Sequence, residues 1–343
     1  MSILDSEKLL KEIAPDVPSG DNLEYDPGFV AMTQAAQGKA EQRMGDAVVP
    51  GEEPRWGVVK SKAIELLGRS KDLRVAVYLT QALLKVDGFQ GMAEGLTLIN
   101  SLMERFWDTV HPQLDPDDDN DPTFRVNTLA VLFDADTTLR NVRETPLVSS
   151  RALGRFSLRD VEIAGGKAPP PAQAGQPPAE MSVIEAAFAE CELEVLQATA
   201  DGVSLSIEQV GAIESTLTER VGAAQSASFS ALAKALKGVQ DVLNQQLARR
   251  GVAVAATGGV AAGSTAPAAA APISGAVNSR QDAILVLDKV CDYFRRNEPS
   301  SPVPLLLERA KALVSKSFVE IIRDLAPDGI AQVDTIRGAR AEE

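Results

Sequence analysis

Apolar residues recur along this chain at spacings of three and four, the period of an α-helix with one buried face. Over 72–87 the stripe is Leu73, Val77, Thr80, Leu83 and Leu84, and over 90–106 it is Met92, Leu96, Ile99, Leu102 and Phe106. Weaker patterns predict helices around 28–43, 57–68 and 122–140. A short amphipathic helix carrying Leu9, Leu10 and Ile13 precedes them and stops at Ala14-Pro15. No region alternates apolar and polar residues over a convincing length, although Val148–Ile163 could hold a short strand.

Further along, three helices are expected over 181–250. The pattern Ser182-x-x-Glu185 reads as a capping box at the first start, and Ser206-x-x-Gln209 as the second. The third, from about Ser226 to Arg250, carries Phe229, Leu232, Leu236, Val239, Leu243 and Leu247 on one face. After Ser279-x-x-Asp282, the residues Ile284, Leu287, Cys291 and Phe294 form another stripe, broken at Asn297-Glu-Pro-Ser-Ser-Pro. Ser301 and Pro302 then open a helix or helix pair carrying Leu306, Leu313, Val314, Phe318, Ile321, Ile322 and Leu325.

Two low-complexity stretches separate these groups. Residues 165–180 are proline-rich, and 251–278 are built of Ala, Gly, Ser, Thr and Pro with few side chains able to form a core. The expected class is therefore mainly α. It comprises a helical N-terminal domain (1–164), a short helical middle segment (181–250) and a small helical C-terminal oligomerisation domain (279–343), joined by flexible linkers. About 64 residues make a thin core alone, so self-association is a natural source of extra buried surface for the last segment. Its stripe could equally serve an intrachain core.

The net charge of −14 argues against nucleic acid as a partner. The excess is uneven: 18 basic against 27 acidic residues in 1–164, but 10 against 11 in 280–343, a near-neutral segment suited to self-association. Cys191 and Cys291 are the two cysteines, too few and too far apart for a disulfide framework, which fits a reducing cytoplasm. The N-terminus is too charged for a signal peptide, and the Ala/Gly stretch is too weakly apolar to insert in a membrane.

Catalytic options are narrow. His111 is the single histidine, sits next to Pro112, and reads as structural; no Gly-x-Ser-x-Gly elbow occurs. One histidine and two distant cysteines cannot build an ordinary zinc site. The cluster Asp115–Asp121 fails the EF-hand pattern in both registers, because Asn120 or Pro122 falls where glycine is required. It reads as a solvated loop in which Asp121 caps the next helix, with adventitious Ca²⁺ or Mg²⁺ as the alternative. Gly165-Gly-Lys lacks the rest of a P-loop. No catalytic residue, metal ligand or cofactor is expected. Trp56, Leu73 and Trp107 are expected in the N-terminal core, and Leu306, Leu313, Phe318, Ile321 and Ile322 at an oligomer interface.

Three stretches then carry a resemblance. Pro18-Ser-Gly-Asp-Asn-Leu-Glu-Tyr-Asp-Pro-Gly, Pro54-Arg-Trp-Gly-Val-Val-Lys with Ser70-Lys-Asp-Leu-Arg-Val-Ala-Val-Tyr-Leu, and Phe106-Trp-Asp-Thr-Val-His-Pro resemble the ImpA N-terminal domain of TssA proteins from bacterial type VI secretion systems. The match spans most of 8–140. Asn297-Glu-Pro-Ser-Ser-Pro-Val-Pro-Leu-Leu and Phe318-Val-Glu-Ile-Ile-Arg-Asp-Leu resemble one branch of that family. The resemblance implies a non-enzymatic contractile-tail component that forms high-order, six-fold-based rings through its C-terminal region. It further implies association with the baseplate or growing tail end, contacts with the Hcp tube, the VgrG spike and the TssB–TssC sheath, and help in coordinating their polymerisation. The competing readings are a helical signalling or assembly adaptor outside secretion, and a hydrolase using the Asp115–Asp121 cluster with a metal.

Overall fold

A computed structural model describes residues 3–38, 42–44, 47–49, 51–114, 119–169, 178–252, 287, 291 and 303–314. The chain divides into two compact units, Met1–Gly259 and Val260–Glu343.

The first unit is built on one helical hairpin. Helices α1 (Ser6–Leu9), α2 (Pro27–Gln37) and α3 (Trp56–Leu67) lead into α4 (Leu73–Phe106). Helix α4 is broken at Gly88, which takes φ 70° and ψ −154°. A side chain would be strained there, and the glycine lets the chain reverse so that the two arms pack antiparallel. A Cβ added at Gly95 would lie 2.9 Å from Thr80 Cα, so the arms meet backbone to backbone. The predicted helices over 72–87 and 90–106 are these two arms. Every residue of both stripes is buried, and so are Val75, Ala76, Leu79, Ala82 and Leu98, which lie off them. A helix apolar on all sides needs cover on more than one face. Helix α3 covers one face, with α2 behind it; the second cover is α9, described below.

The predicted helix over 28–43 ends at Gln37, where Gly38 takes φ 60°, and strands β1 (Gln42–Met44) and β2 (Ala47–Val49) follow as an antiparallel pair. The opening helix is shorter than expected: Asp5 caps Ser6–Leu9, and Ile13 lies beyond its end, exposed. The predicted helix over 122–140 is instead a broken run. It consists of α5 (Thr123–Ala130), a 3₁₀ turn at Val131–Phe133, a π turn at Ala135–Leu139 and α6 (Arg140–Glu144). Asp134, whose carboxylate accepts from the backbone of Asp136 and Thr137, restarts the helix there. The ambiguous stretch does hold strands: β3 (Pro146–Ser150) pairs antiparallel with β4 (Gly154–Ser157). Ser157 and Asp160 then form a capping box for α7 (Leu158–Ala164).

Two capping expectations fail in the next stretch. Helix α8 (Met181–Glu190) has Glu180 at its N-cap with no side-chain bond, so Ser182 is already inside it. Helix α9 (Leu193–Val221) is continuous through Ser206, which is buried and donates to Gly202 O at 2.7 Å. That i−4 bond satisfies a mid-helix serine without ending the helix. Helix α10 (Ser230–Arg249) begins four residues later than expected and buries the whole predicted face, from Leu232 to Leu247.

The expected division between 1–164 and 181–250 is also corrected. Helix α9 lies along α4, and α10 packs on α9, so both share one hydrophobic core with the N-terminal helices. Gly202 sits against the hairpin turn, where an added Cβ would fall 2.8 Å from Gln90 N and 2.9 Å from Phe89 C. Residues 165–169 and 178–180 are described within this body, and Ala179 packs against its core. Residues 170–177 and 253–278 of the expected linkers lie outside the described residues.

In the second unit, α11 (Val303–Val314) is described, with Leu306 66% exposed. Cys291 is helical and buried.

Candidate functional site

The polar residues that converge most densely lie where α3 ends and where both ends of α4 come together. The chain leaves α3 through Ser70-Lys71-Asp72, and this segment runs beside Val110-His111-Pro112 after the second arm of α4. His111 N donates to Lys71 O at 2.9 Å and Leu73 N to His111 O at 2.8 Å, a short bridge between segments 40 residues apart in the chain. The 18–26 loop closes the third side. Lys71 N donates to Ser19 O, Ser70 Oγ to Asp21 O, and His111 Nε2 to Gly20 O at 2.9 Å; Ser19 and Thr109 share a hydroxyl bond of 2.8 Å. The His111–Pro112 peptide is cis.

Charge at this junction follows the helix ends. Asp72 caps α4, its carboxylate accepting from Arg74 N at 2.8 Å at the positive end of the helix. Two cations serve the negative ends. Lys71, fully buried, donates from Nζ to Leu67 O, the last residue of α3, and burial pushes its pKa down to about 8. Arg125, also fully buried, donates from all three guanidinium nitrogens to carbonyls just past α4: Nε to Pro112 O at 2.7 Å, Nη1 to Trp107 O and Nη2 to Val110 O at 2.8 Å. Its guanidinium carbon lies 4.8 Å from the centre of the Trp107 ring, a cation–π contact. Burial lowers its pKa to about 10, with Asp108 opposing the fall.

Arg74 fastens the outer side. It pairs with Asp72 and Glu24, each at 2.8 Å, donates to Asn22, and lies 5.2 Å from the Phe29 ring centre on α2. Burial works against its charge, but its bonds to Asp72 and Glu24 outweigh that and hold its pKa above the ordinary value. The hydrogen bond from Arg74 and its charge hold Glu24 below the usual carboxylate range. Asp26 caps α2 and pairs with Arg69 at 2.7 Å. Three sequence stretches spaced across 90 residues therefore form one interlocked junction.

The sequence-predicted residues fall out as follows. Leu73 and Trp107 belong to this junction and are buried; Trp56, at the start of α3, is only partly buried and stands apart from it. Lys71 and Arg125 were missed, because buried charges run against the usual partition of residue types. Of the acidic loop, 115–118 lie outside the described residues; Asp119 and Asn120 have φ of 53° and 57°, and Asp121 accepts from Thr123 N and Oγ1, holding the start of α5. They border a cleft of about 450 Å³ with Trp107 and Arg220. Among the described residues no group of three His, Cys, Asp or Glu could hold a metal ion. Burial pushes the Cys191 thiol pKa up, away from a reactive thiolate. Leu306 is exposed on α11, Leu313 lies on the same helix, and Phe318, Ile321 and Ile322 lie outside the described residues.

Residues 10–134, which contain this junction, match the family described as ImpA, N-terminal, type VI secretion system. The whole chain is 44% identical over 349 residues to the type VI secretion system component TssA1 of Pseudomonas aeruginosa, covering 99% of this chain and 100% of that protein. The chain belongs to the TssA family. A solved TssA structure from Burkholderia cenocepacia, the N-terminal domain including the conserved ImpA_N region, is 30% identical and aligns with a TM-score of 0.59. It covers 73% of this chain and 96% of its own, well beyond residues 1–164, in keeping with α8 to α10 being built into the same TssA body. No described helix is long and apolar enough to cross a membrane.

Proposed function

We propose that this TssA-family chain is a non-enzymatic assembly subunit of the type VI contractile tail. In this reading residues 279–343 build a six-fold-based ring. The ring and the N-terminal body together engage the Hcp tube, the VgrG spike, the TssB–TssC sheath and baseplate subunits in the cytoplasm, and coordinate their polymerisation. The observation that carries the reading is the near full-length likeness to TssA1, which extends through the C-terminal segment as well as the N-terminal body.

Two structural features support it. The polar and charged groups gathered at the α3–α4 junction are spent on backbone carbonyls, helix ends and one another, and no described buried side-chain polar atom lacks a partner. Such a junction fixes a shape; it offers no poised acid, base or nucleophile. Leu306 supplies an exposed apolar side chain on α11, the kind of surface a subunit contact covers.

The test is complementation of a strain lacking the gene. Leu306→Asp and Ile321→Asp should abolish release of the tube protein while leaving the helical content of the full chain nearly unchanged, since most described helix lies before residue 252. Secretion at the wild-type level by both variants would remove the C-terminal segment from the mechanism.

A further inference from the structure

We infer that the groove between α6, α7 and α10 is a docking site for an acidic segment of a protein partner whose apolar side chains seat between its charged rims. The inference concerns the N-terminal body alone and does not depend on ring formation.

The groove is open and has a volume of about 690 Å³, within the roughly 300–1,000 Å³ typical of ligand-sized clefts. Its floor is apolar and includes Leu139, Leu158, Ala231, Ala235 and Gly238. Gly238 keeps the α10 side low, where an added Cβ would reach ordinary van der Waals contact, 3.5 Å, with Leu158 Cδ2. Larger residues on α10 would fill the space; small ones leave room for side chains from outside.

The rim decides which side chains. It carries Arg140, Arg143, Arg159 and Lys234 against Glu144 and Glu162. Arg143 is paired with Glu162, and Arg159 with Glu144 at 2.8 Å. Arg140 and Lys234, both exposed, have no acid partner among the described residues. In a chain with a net charge of −14, a groove with two more cations than acids is a local reversal of sign. Carboxylates on an incoming segment would meet both unpaired cations, and the paired ones can rearrange to share. A polyphosphate backbone would also meet the cations but would leave the apolar floor unused. A peptide carrying Asp or Glu beside Leu, Ile or Val uses both features.

The test uses the full-length protein in intact cells of its source bacterium. A photo-crosslinking residue, p-benzoylphenylalanine, replaces Ala231, which is exposed at the groove. Crosslinked peptides are identified by mass spectrometry. The expected adduct is a protein segment with net negative charge and apolar residues at the site of attachment. Its yield should fall at least ten-fold in the Arg140→Glu/Lys234→Glu variant. Because neither side chain makes a hydrogen bond or ion pair among the described residues, thermal unfolding of that variant should match the wild type, separating lost docking from lost folding. No adduct, an adduct with nucleic acid, with a basic segment or with a second copy of this chain, or a yield indifferent to the charge reversal, would each overturn the assignment. Ring size stays at its wild-type value in every one of these outcomes if the proposed function holds, so the two readings fail separately.

Discussion

Arg125→Met should be among the most damaging single substitutions in the N-terminal body, although it replaces a charge with an apolar chain of similar length. Arg125 is fully buried and donates to three backbone carbonyls, those of Trp107, Val110 and Pro112. Hydrogen bonds from a charged donor contribute about 1.5–3 kcal/mol each, and the contact with the Trp107 ring adds roughly 1 kcal/mol. Against this stands the desolvation of the guanidinium. Burial lowers its pKa from the ordinary arginine value to about 10, and a shift of that size corresponds to roughly 3 kcal/mol that methionine would regain. The difference is a net loss of about 2.5–7 kcal/mol, a large part of the ~5–15 kcal/mol that holds a typical domain folded. Urea unfolding of the full chain, followed by tryptophan fluorescence, reads it directly, because Trp107 loses the nearer of its two cations and its carbonyl partner together. Arg125→Lys keeps the charge but presents one nitrogen in place of a three-pronged fork, so it should lose about half as much. A loss below about 1 kcal/mol for Arg125→Met would refute the view that this side chain closes the junction.

Lys71→Met should behave in the opposite way. Lys71 is buried with one carbonyl partner and no carboxylate, and its folded pKa of about 8 lies below the ordinary 10.5. The unfolded chain therefore binds more protons between pH 8 and 10.5, and stability should rise across that window; Lys71→Met should flatten the rise and be neutral or stabilising at pH 7, and a flat wild-type profile or a destabilised variant would contradict this. Gly202→Val should cost more than about 2 kcal/mol, because its side chain would strike the backbone of Phe89 and Gln90; a calorimetric transition within 1 °C of the wild type would show that α9 does not clamp the hairpin turn. Changing Asp117, Asp118 and Asp119 together to Asn should leave secretion intact, since Asp121 holds the start of α5 without them; loss of secretion at normal protein levels would restore the metal-site reading.

The helical class and the two arms of α4 were legible because their stripes are long and regular. Each stripe predicts one buried face, whereas Val75, Leu79 and Ala82 off it are buried as well, so a second partner helix is needed. Periodicity does not name that partner. Leu196, Val203, Val210, Ile213 and Leu217 on α9 describe an apolar face equally suited to a separate bundle, so 181–250 read as its own segment. Ser206 misled because serine satisfies its hydroxyl equally well at a cap or against the carbonyl four residues back. The junction residues were visible as motifs, but much of their convergence rests on bonds to backbone carbonyls, which leave no pattern in side-chain type. Arg125 did leave one trace: Leu129 and Leu132, four and seven residues on, place it on a buried face.

The most direct test is the mass of the purified full-length protein by multi-angle light scattering, for the wild type and for Leu306→Asp. Six-fold-based assembly through the C-terminal segment predicts a single wild-type species at a multiple of six chains of 36.3 kDa. It predicts collapse to small species in the variant, because a carboxylate buried at each interface costs several kcal/mol and the symmetry of a ring repeats it. A wild-type monomer or dimer, or a variant that keeps the full ring mass, would contradict it.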